Sequence, residues 1–149
     1  MQEKIEDIKY IQSTIWGMYK EFLENEDFAA YKFKMYALIN ECNPLNYFIK
    51  NLVYIWIPLV KWLFDSIKNK CDVTETKNCI KHIQNFVWSM YVSFLSEQNM
   101  KKWNESMGVL VKEYAKKGDQ QILTFVQNLL IAWCLIISGF AEEFNNGNS

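Results

Sequence analysis

The segment IKYIQSTIWGMYKEFL at residues 8–23 returns 72 positions later as IKHIQNFVWSMYVSFL at residues 80–95. The two segments are identical at 9 of 16 positions. Within each segment, apolar residues recur at intervals of three and four, which is the spacing of one face of an α-helix. The sequence therefore predicts two equivalent amphipathic helices and indicates an internal repeat.

Similarity continues past the first helix of each copy, first at the same offset and then at an offset of 77. The later match aligns FIKNLVYIW at 48–56 with FVQNLLIAW at 125–133. We expect a longer loop near Gly118 to account for the change in offset. The copies therefore cover residues 8–56 and 80–133, and each is long enough for three helices.

The composition favours helices over strands. Half of the 149 residues are hydrophobic, and the chain has only 5 glycines and 2 prolines, which disfavours a turn-rich β fold. We expect an all-α six-helix bundle formed by an internally duplicated three-helix unit. Half 4–69 and half 73–144 would pack across a pseudo-twofold axis as a single domain, followed by a flexible tail at 145–149. The predicted helices are 4–24, 26–41, 44–69, 73–97, 99–117 and 120–144.

Three pairs of residues mark helix ends by their capping chemistry: an N-cap with proline after it, a capping box, and a left-handed stop followed by an N-cap. These pairs are Asn43 with Pro44, Asp72 with Glu75, and Gly118 with Asp119. Gly17 and Gly108 lie inside predicted helices, where we expect them to permit a close approach of another helix.

The charge disfavours nucleic acid as a partner. The net charge is −1, and all 16 basic residues are lysine; the chain lacks the arginine fork that reads phosphate and guanine. Heavy use of Lys, Asn and Ile is typical of an AT-rich genome and indicates a low-GC bacterium or its phage. Because the four cysteines form no CxxC or zinc spacing and no signal peptide is evident, we expect a cytoplasmic protein without a metal or cofactor.

A membrane span is disfavoured. Residues 120–141 carry no charge and are long enough to cross a bilayer. Gln127 and Asn128 lie midway along this segment, however, where unpaired amides are costly in lipid. A buried core helix is therefore preferred, although membrane contact by this segment stays open.

Catalytic motifs are missing from the sequence, which contains no phosphate loop and no nucleophile or metalloprotease motif. His82 is the only histidine, and we interpret it as a helix-surface or core-edge residue. Cys71 has lysine neighbours typical of reactive cysteines, and we expect both Cys71 and Cys79 to be exposed. The reactivity of Cys71 and His82 stays open, and an enzyme is the least favoured class.

Two kinds of residue are candidates for binding. Asn51 and Asn128 occupy matching places amid apolar helical sequence; we favour a buried hydrogen bond between them, with a polar contact in a ligand cavity as the alternative. Trp62 and Trp103 have no matching tryptophan in the other copy, and we expect some tryptophans to be exposed as interface anchors.

These features favour a non-enzymatic helical protein–protein interaction module, such as an accessory or inhibitory factor. Its partner would be another protein or a second copy in a homodimer, bound through an aromatic-rich helical face. The alternative is a bundle that binds an apolar small molecule or lipid. The candidate binding residues are Trp62, Trp103, Asn51, Asn128 and His82.

Overall fold

The computed structural model describes residues 1–41 and 44–147 and confirms that the chain is all-helical. It divides into two compact units, unit 1 (Met1–Cys71) and unit 2 (Asp72–Ser149). The boundary falls in the predicted connection between the two halves. Across the described residues there is no strand, and the helices are α1 (Gln2–Asn25), α2 (Phe28–Ile39), α3 (Asn46–Lys68), α4 (Thr74–Glu97), α5 (Met100–Lys117) and α6 (Gln120–Gly147).

The predicted helix ends differ from these bounds by at most three residues. The largest difference is at the end of α6, which continues to Gly147 and therefore includes most of the predicted tail. Residues 148 and 149 of that tail lie outside the described part of the chain.

The apolar stripes of the repeat form the core of each unit. In unit 1, Tyr19 on the buried face of α1 contacts Trp56 of α3, and in unit 2 Tyr91 on the buried face of α4 contacts Trp133 of α6. Each large aliphatic or aromatic side chain removed from water contributes about 1.5–3 kcal/mol. The fully buried aromatics are Tyr19, Phe22, Phe48 and Trp56 in unit 1, and Tyr91, Tyr114, Trp133 and Phe140 in unit 2.

The α1–α2 and α4–α5 turns have the same construction. Glu26 and Gln98 take left-handed backbone angles, φ 56° and 55°, and end α1 and α4. Asp27 and Asn99 follow as N-caps, and each side chain accepts a hydrogen bond of 3.0 Å from the backbone N–H three residues on. Such caps stabilise a helix start by about 1 kcal/mol. The repeated sequence thus specifies a repeated turn.

The start of α3 differs from the prediction. The helix begins at Asn46 with Leu45 as its N-cap, so Pro44 is not the first helical residue and instead lies in a turn. Leu45 is buried, and its carbonyl accepts hydrogen bonds from Phe48 and Ile49. The helix therefore begins from a buried leucine and not from a polar cap. Asn43 lies outside the described residues.

Of the other two predicted helix ends, the one at Gly118 and Asp119 is confirmed, whereas the capping box at Asp72 is wrong, because α4 has Val73 as its N-cap without a side-chain cap. Gly118 is left-handed, with φ 74°, and ends α5, while the Asp119 carboxylate accepts two N–H groups in the first turn of α6 at 3.0 and 3.2 Å. The expected longer loop is wrong, because only these two residues separate α5 from α6, and the second copy is longer in its helix: α5 has 18 residues and α2 has 12. Asp72 accepts the backbone N–H of Thr74 at 3.0 Å, and this hydrogen bond lowers the pKa of the Asp72 carboxyl. Glu75, the expected second half of a capping box, instead lies 3.7 Å from the ammonium of Lys117.

The prediction for the helical glycines is wrong. A Cβ added at Gly17 or Gly108 would meet no atom within 4 Å, and both residues are exposed. Neither glycine therefore permits a close helix approach.

Candidate functional site

Unit 2 carries an open groove between α5 and α6 with a volume of about 670 Å³. The lining residues of α5 are spaced by three or four and lie on one face of that helix, and those of α6 come from two successive turns. None of the lining side chains is charged, and Ile131 on the rim is 65% exposed. The lining residues are Asn104, Met107, Gly108, Val111, Gln127, Asn128, Leu130, Ile131 and Cys134.

Position 108, on the α5 wall of the groove, is a glycine and adds no side chain there. At the matching position of unit 1 the chain has Tyr36, whose ring meets that of Tyr54 edge to face with centroids 6.3 Å apart. Tyr54 in turn matches Ile131 in the repeat. Two tyrosine rings therefore lie in contact on the α2–α3 surface of unit 1, at the positions where unit 2 has Gly108 and Ile131.

Two sulfur atoms join the walls of the groove. The Cys134 thiol lies 3.4 Å from the Met107 thioether, between α6 and α5. Cys134 is half-buried rather than buried as its apolar helical context would indicate. Polarizable sulfur atoms and the flexible Met107 side chain give this wall an adaptable apolar surface.

The two predicted asparagines differ in environment. Asn128 is exposed on the groove, and Asn51 is half-buried in unit 1. The predicted burial of the pair is therefore wrong at Asn128. Its sequence neighbours on α6 are apolar, but each residue turns the helix by about 100°, so that Asn128 falls outside the buried face that contains Phe125 and Leu129.

The structure also corrects the tryptophan prediction. All six tryptophans lie within the described residues, and none is exposed. Trp103 is only 2% exposed and packs against Phe94, with ring centroids 6.4 Å apart, while Trp62 is half-buried. The most exposed aromatic side chain is Phe33, at 75%. Sequence reasoning missed Phe33, although it lies off the apolar stripe of α2.

His82 lies on the helix surface, as predicted. Its Nε2 is 3.2 Å from the carboxylate of Glu113 on α5, and its ring lies 5.9 Å from Phe86 and 6.0 Å from Tyr114. The contact joins α4 to α5 at an exposed position. Sequence reasoning placed no carboxylate near His82, because Glu113 is 31 residues away.

A second cavity, of about 310 Å³, lies where the start of α4, the end of α5 and the start of α6 meet. Cys71 is exposed as predicted, but Cys79 is only 7% exposed and contributes to this cavity. Burial raises the pKa of the Cys79 thiol. The lining residues are Glu75, Thr76, Cys79, Tyr114, Lys117, Asp119 and Ile122.

Histidine, cysteine, aspartate and glutamate are the side chains that commonly ligate metals. Within 1–41 and 44–147, no group of three or more His, Cys, Asp or Glu side chains could hold a metal ion.

Two helices resemble membrane spans. Helix α3 and residues Gln120–Asn146 of α6 are long and apolar enough to cross a membrane by length and composition, and half of the most apolar stretch of each is buried inside the structure. The core helices of soluble proteins meet the same criteria.

No protein-family model, curated protein or solved structure matches the chain. The two surfaces are therefore interpreted from their own chemistry. The groove offers apolar contacts with amides on its rim, whereas the second cavity offers two carboxylates, an ammonium, a thiol and a phenol.

Proposed function

We propose that the protein is a non-enzymatic helical interaction module that binds an apolar helical segment of a partner protein in the α5–α6 groove. The observation that carries this proposal is the uncharged lining of the groove, with Ile131 largely exposed on its rim. Exposed apolar surface of this kind marks interaction sites in soluble domains. An accessory or inhibitory factor of a low-GC bacterium or phage would act through such a surface.

The shape of the groove favours a helix as its occupant. It is bounded by two packed helices and open to solvent along its length, and an amphipathic helix fills such a groove with side chains spaced by three and four residues. Leu135, one turn beyond Ile131, is also exposed and extends the apolar surface. A small apolar molecule usually binds in a more enclosed pocket, so a lipid or small ligand is the second candidate.

The polar residues of the groove would orient the partner. Asn104, Gln127 and Asn128 each carry an amide that donates and accepts hydrogen bonds. A few polar groups in an apolar site provide specificity, because a partner that leaves them unpaired loses affinity. Asn128 thus keeps a binding role in this proposal, on the groove instead of inside a core.

The proposal includes an origin of the chain by internal duplication. Its support is the repeated sequence, the repeated turn at Glu26 and Gln98, and the similar packing of Trp16 and Trp88 within their own units. After duplication, the two copies would have diverged at this surface, so that one has Tyr36 and Tyr54 and the other has the open groove. The predicted pseudo-twofold arrangement of the halves stays a prediction.

A reducing cytoplasmic location fits this proposal. The cysteines at positions 71, 79 and 134 are all free, and a reducing compartment keeps thiols in that state. In the cytoplasm the exposed residues of α6 would face a protein partner instead of lipid.

The test fills the groove with the residue that unit 1 has at the same place. Affinity capture from the native host would be done with the unmodified protein, Gly108→Tyr and the control Gly17→Tyr. Both glycines are exposed and helical with open space around Cβ, so both variants should fold. A synthetic peptide of the captured partner's helix would then be titrated by fluorescence anisotropy.

We expect Gly108→Tyr to weaken binding of the peptide about tenfold or more, because the ring would occupy the groove, and Gly17→Tyr to bind normally. Equal binding by Gly108→Tyr would overturn the proposal. If light scattering showed that the unmodified protein is a dimer and that Gly108→Tyr is a monomer, the occupant of the groove would be a second copy of the chain. A co-purifying lipid that Gly108→Tyr removes would favour the second candidate.

A further inference from the structure

We propose that the 310 Å³ cavity of unit 2 binds a small organic ammonium ion between the Glu75 carboxylate and the ring of Tyr114. The cavity lies at the end of unit 2 where α4 and α6 begin and α5 ends. It is separate in composition from the α5–α6 groove, with which it shares no lining residue. This site is therefore independent of the proposed function.

The charges of the cavity favour a cation. Two carboxylates, Glu75 and Asp119, line it together with one ammonium, that of Lys117. The last carbonyls of α5 also lie at this end, and the C-terminus of a helix attracts positive charge. At the starts of α4 and α6, three backbone N–H groups that would attract an anion already donate to Asp72 or Asp119.

The side chain of Lys117 marks the position of the ammonium. Its Nζ lies 5.4 Å from the centroid of the Tyr114 ring and 3.7 Å from the Glu75 carboxylate. An aromatic face with a carboxylate beside it is the combination that recognises ammonium ligands. Because the Lys117 side chain is partly exposed, it can move into solvent and leave the position to a ligand. Lys117 thus acts as an internal competitor.

The size and the inner wall of the cavity define the rest of the ligand. Its 310 Å³ is roughly ten times the ~30 Å³ that a water molecule occupies in the liquid, which suits a ligand of about ten non-hydrogen atoms. Ile122 and Cys79 are buried and form the inner wall, which is apolar at Ile122, while the Cys79 thiol donates to the Glu75 carboxylate at 3.7 Å. The ligand would therefore carry one ammonium group and a short apolar body.

Phenethylammonium chloride is a suitable probe, and 2-phenylethanol is its neutral control. Both would be titrated into the full chain labelled with ¹⁵N, with amide chemical shifts as the readout. We expect saturable shifts confined to residues 75–79 and 114–122 for the ammonium compound. The alcohol should bind more weakly by a factor of about five or more, because it lacks the charge that Glu75 and Tyr114 recognise.

Three variants distinguish this site from unspecific binding. Glu75→Gln should weaken the probe about fivefold, and the 80% exposure of this side chain makes unfolding an implausible cause. Lys117→Met should strengthen binding, because it removes the competing ammonium. Lys116→Met, a change in the same last turn of α5 outside the cavity lining, should leave the affinity unchanged.

Several results would overturn the proposal. These are the absence of saturable shifts, equal binding of the alcohol, unchanged affinity in Glu75→Gln, and weaker binding in Lys117→Met. The last result would show that the Lys117 ammonium does not compete with the probe for this position.

Discussion

The indole rings of Trp88 and Trp133 meet edge to face, with centroids 6.3 Å apart and planes 73° apart, and connect α4 to α6. Trp16 and Trp56 meet in unit 1 at 6.3 Å and 68°. In each unit a buried tyrosine, Tyr91 or Tyr19, lies within 5.3 Å of both indoles. Edge-to-face contacts are favourable because the positive ring edge meets the negative ring face.

Truncation of the buried indole tests the importance of this cluster. Trp133→Ala should lower the free energy of unfolding of unit 2 by about 3–5 kcal/mol, because it removes a large buried side chain and leaves a cavity. Urea denaturation monitored by hydrogen exchange would assign the loss to a unit. The half-buried Trp62 supplies the control, since Trp62→Ala should cost less. A loss below about 1 kcal/mol at Trp133 would contradict its place in the core.

Tyr31 should make stability fall at alkaline pH. It is buried, no described residue pairs with its hydroxyl, and burial, with a smaller contribution from Tyr19, raises its pKa above the usual value of 10.0. Above about pH 10 the unfolded chain loses the Tyr31 proton and the folded chain keeps it, so stability decreases as pH rises, by up to ~1.4 kcal/mol per pH unit.

The variant Tyr31→Phe should therefore show a shallower decrease in the free energy of unfolding between about pH 10 and 11.5 in urea titrations. At neutral pH it should match or exceed the original stability, because an unpaired buried hydroxyl costs about 1–3 kcal/mol. Tyr19→Phe should act in the same direction, since burial raises the pKa of Tyr19 as well. If both variants lost stability at alkaline pH as steeply as the unmodified protein, this assignment would be refuted.

Replacing glycine by alanine should change the free energy of unfolding in opposite directions at two positions, Gly17 and Gly118. Gly17→Ala should stabilise unit 1 by about 0.5–1 kcal/mol, because alanine is the better helix former and its Cβ meets open space. Gly118→Ala should destabilise unit 2 by about 1 kcal/mol, because φ is +74° there and a Cβ strains this conformation. Thermal unfolding would measure both, and a destabilising Gly17→Ala would show that α1 is misplaced.

The thiols should differ in their rate of alkylation. Cys71 is exposed, whereas Cys79 is buried and burial raises its pKa, so little nucleophilic thiolate is accessible at Cys79. Brief treatment of the native protein with iodoacetamide, followed by peptide mass spectrometry, should label Cys71 first. Cys79 should react at a comparable rate only after unfolding in urea, and equal native rates would be inconsistent with this structure.

Helical periodicity made most of the fold predictable. A stripe at intervals of three and four describes one face of a helix, and that face must be buried wherever its neighbours lie. The positions of Ile8, Ile80 and Phe125 in the core therefore followed from sequence alone. Helix ends followed where one residue does the capping, as at Gly118.

The candidate sites were less predictable, because they depend on which helices meet. The exposure of Asn128 and the burial of Trp103 depend on the angular position of each residue relative to its neighbouring helices. The contact of His82 with Glu113, and that of Lys117 with Glu75, joins residues more than 30 positions apart. No local pattern in the sequence indicates either contact.

The sequence by itself determined the helical class, the repeated stripe and the helix end at Gly118, because these depend on interactions between residues a few positions apart. Only the tertiary structure decided that Gly108 lines an open groove whereas Tyr36 contacts Tyr54, and that Cys79 lines a cavity together with charged residues. Grooves and cavities are spaces between helices. Their shape depends on side chains that packing brings together from distant parts of the chain.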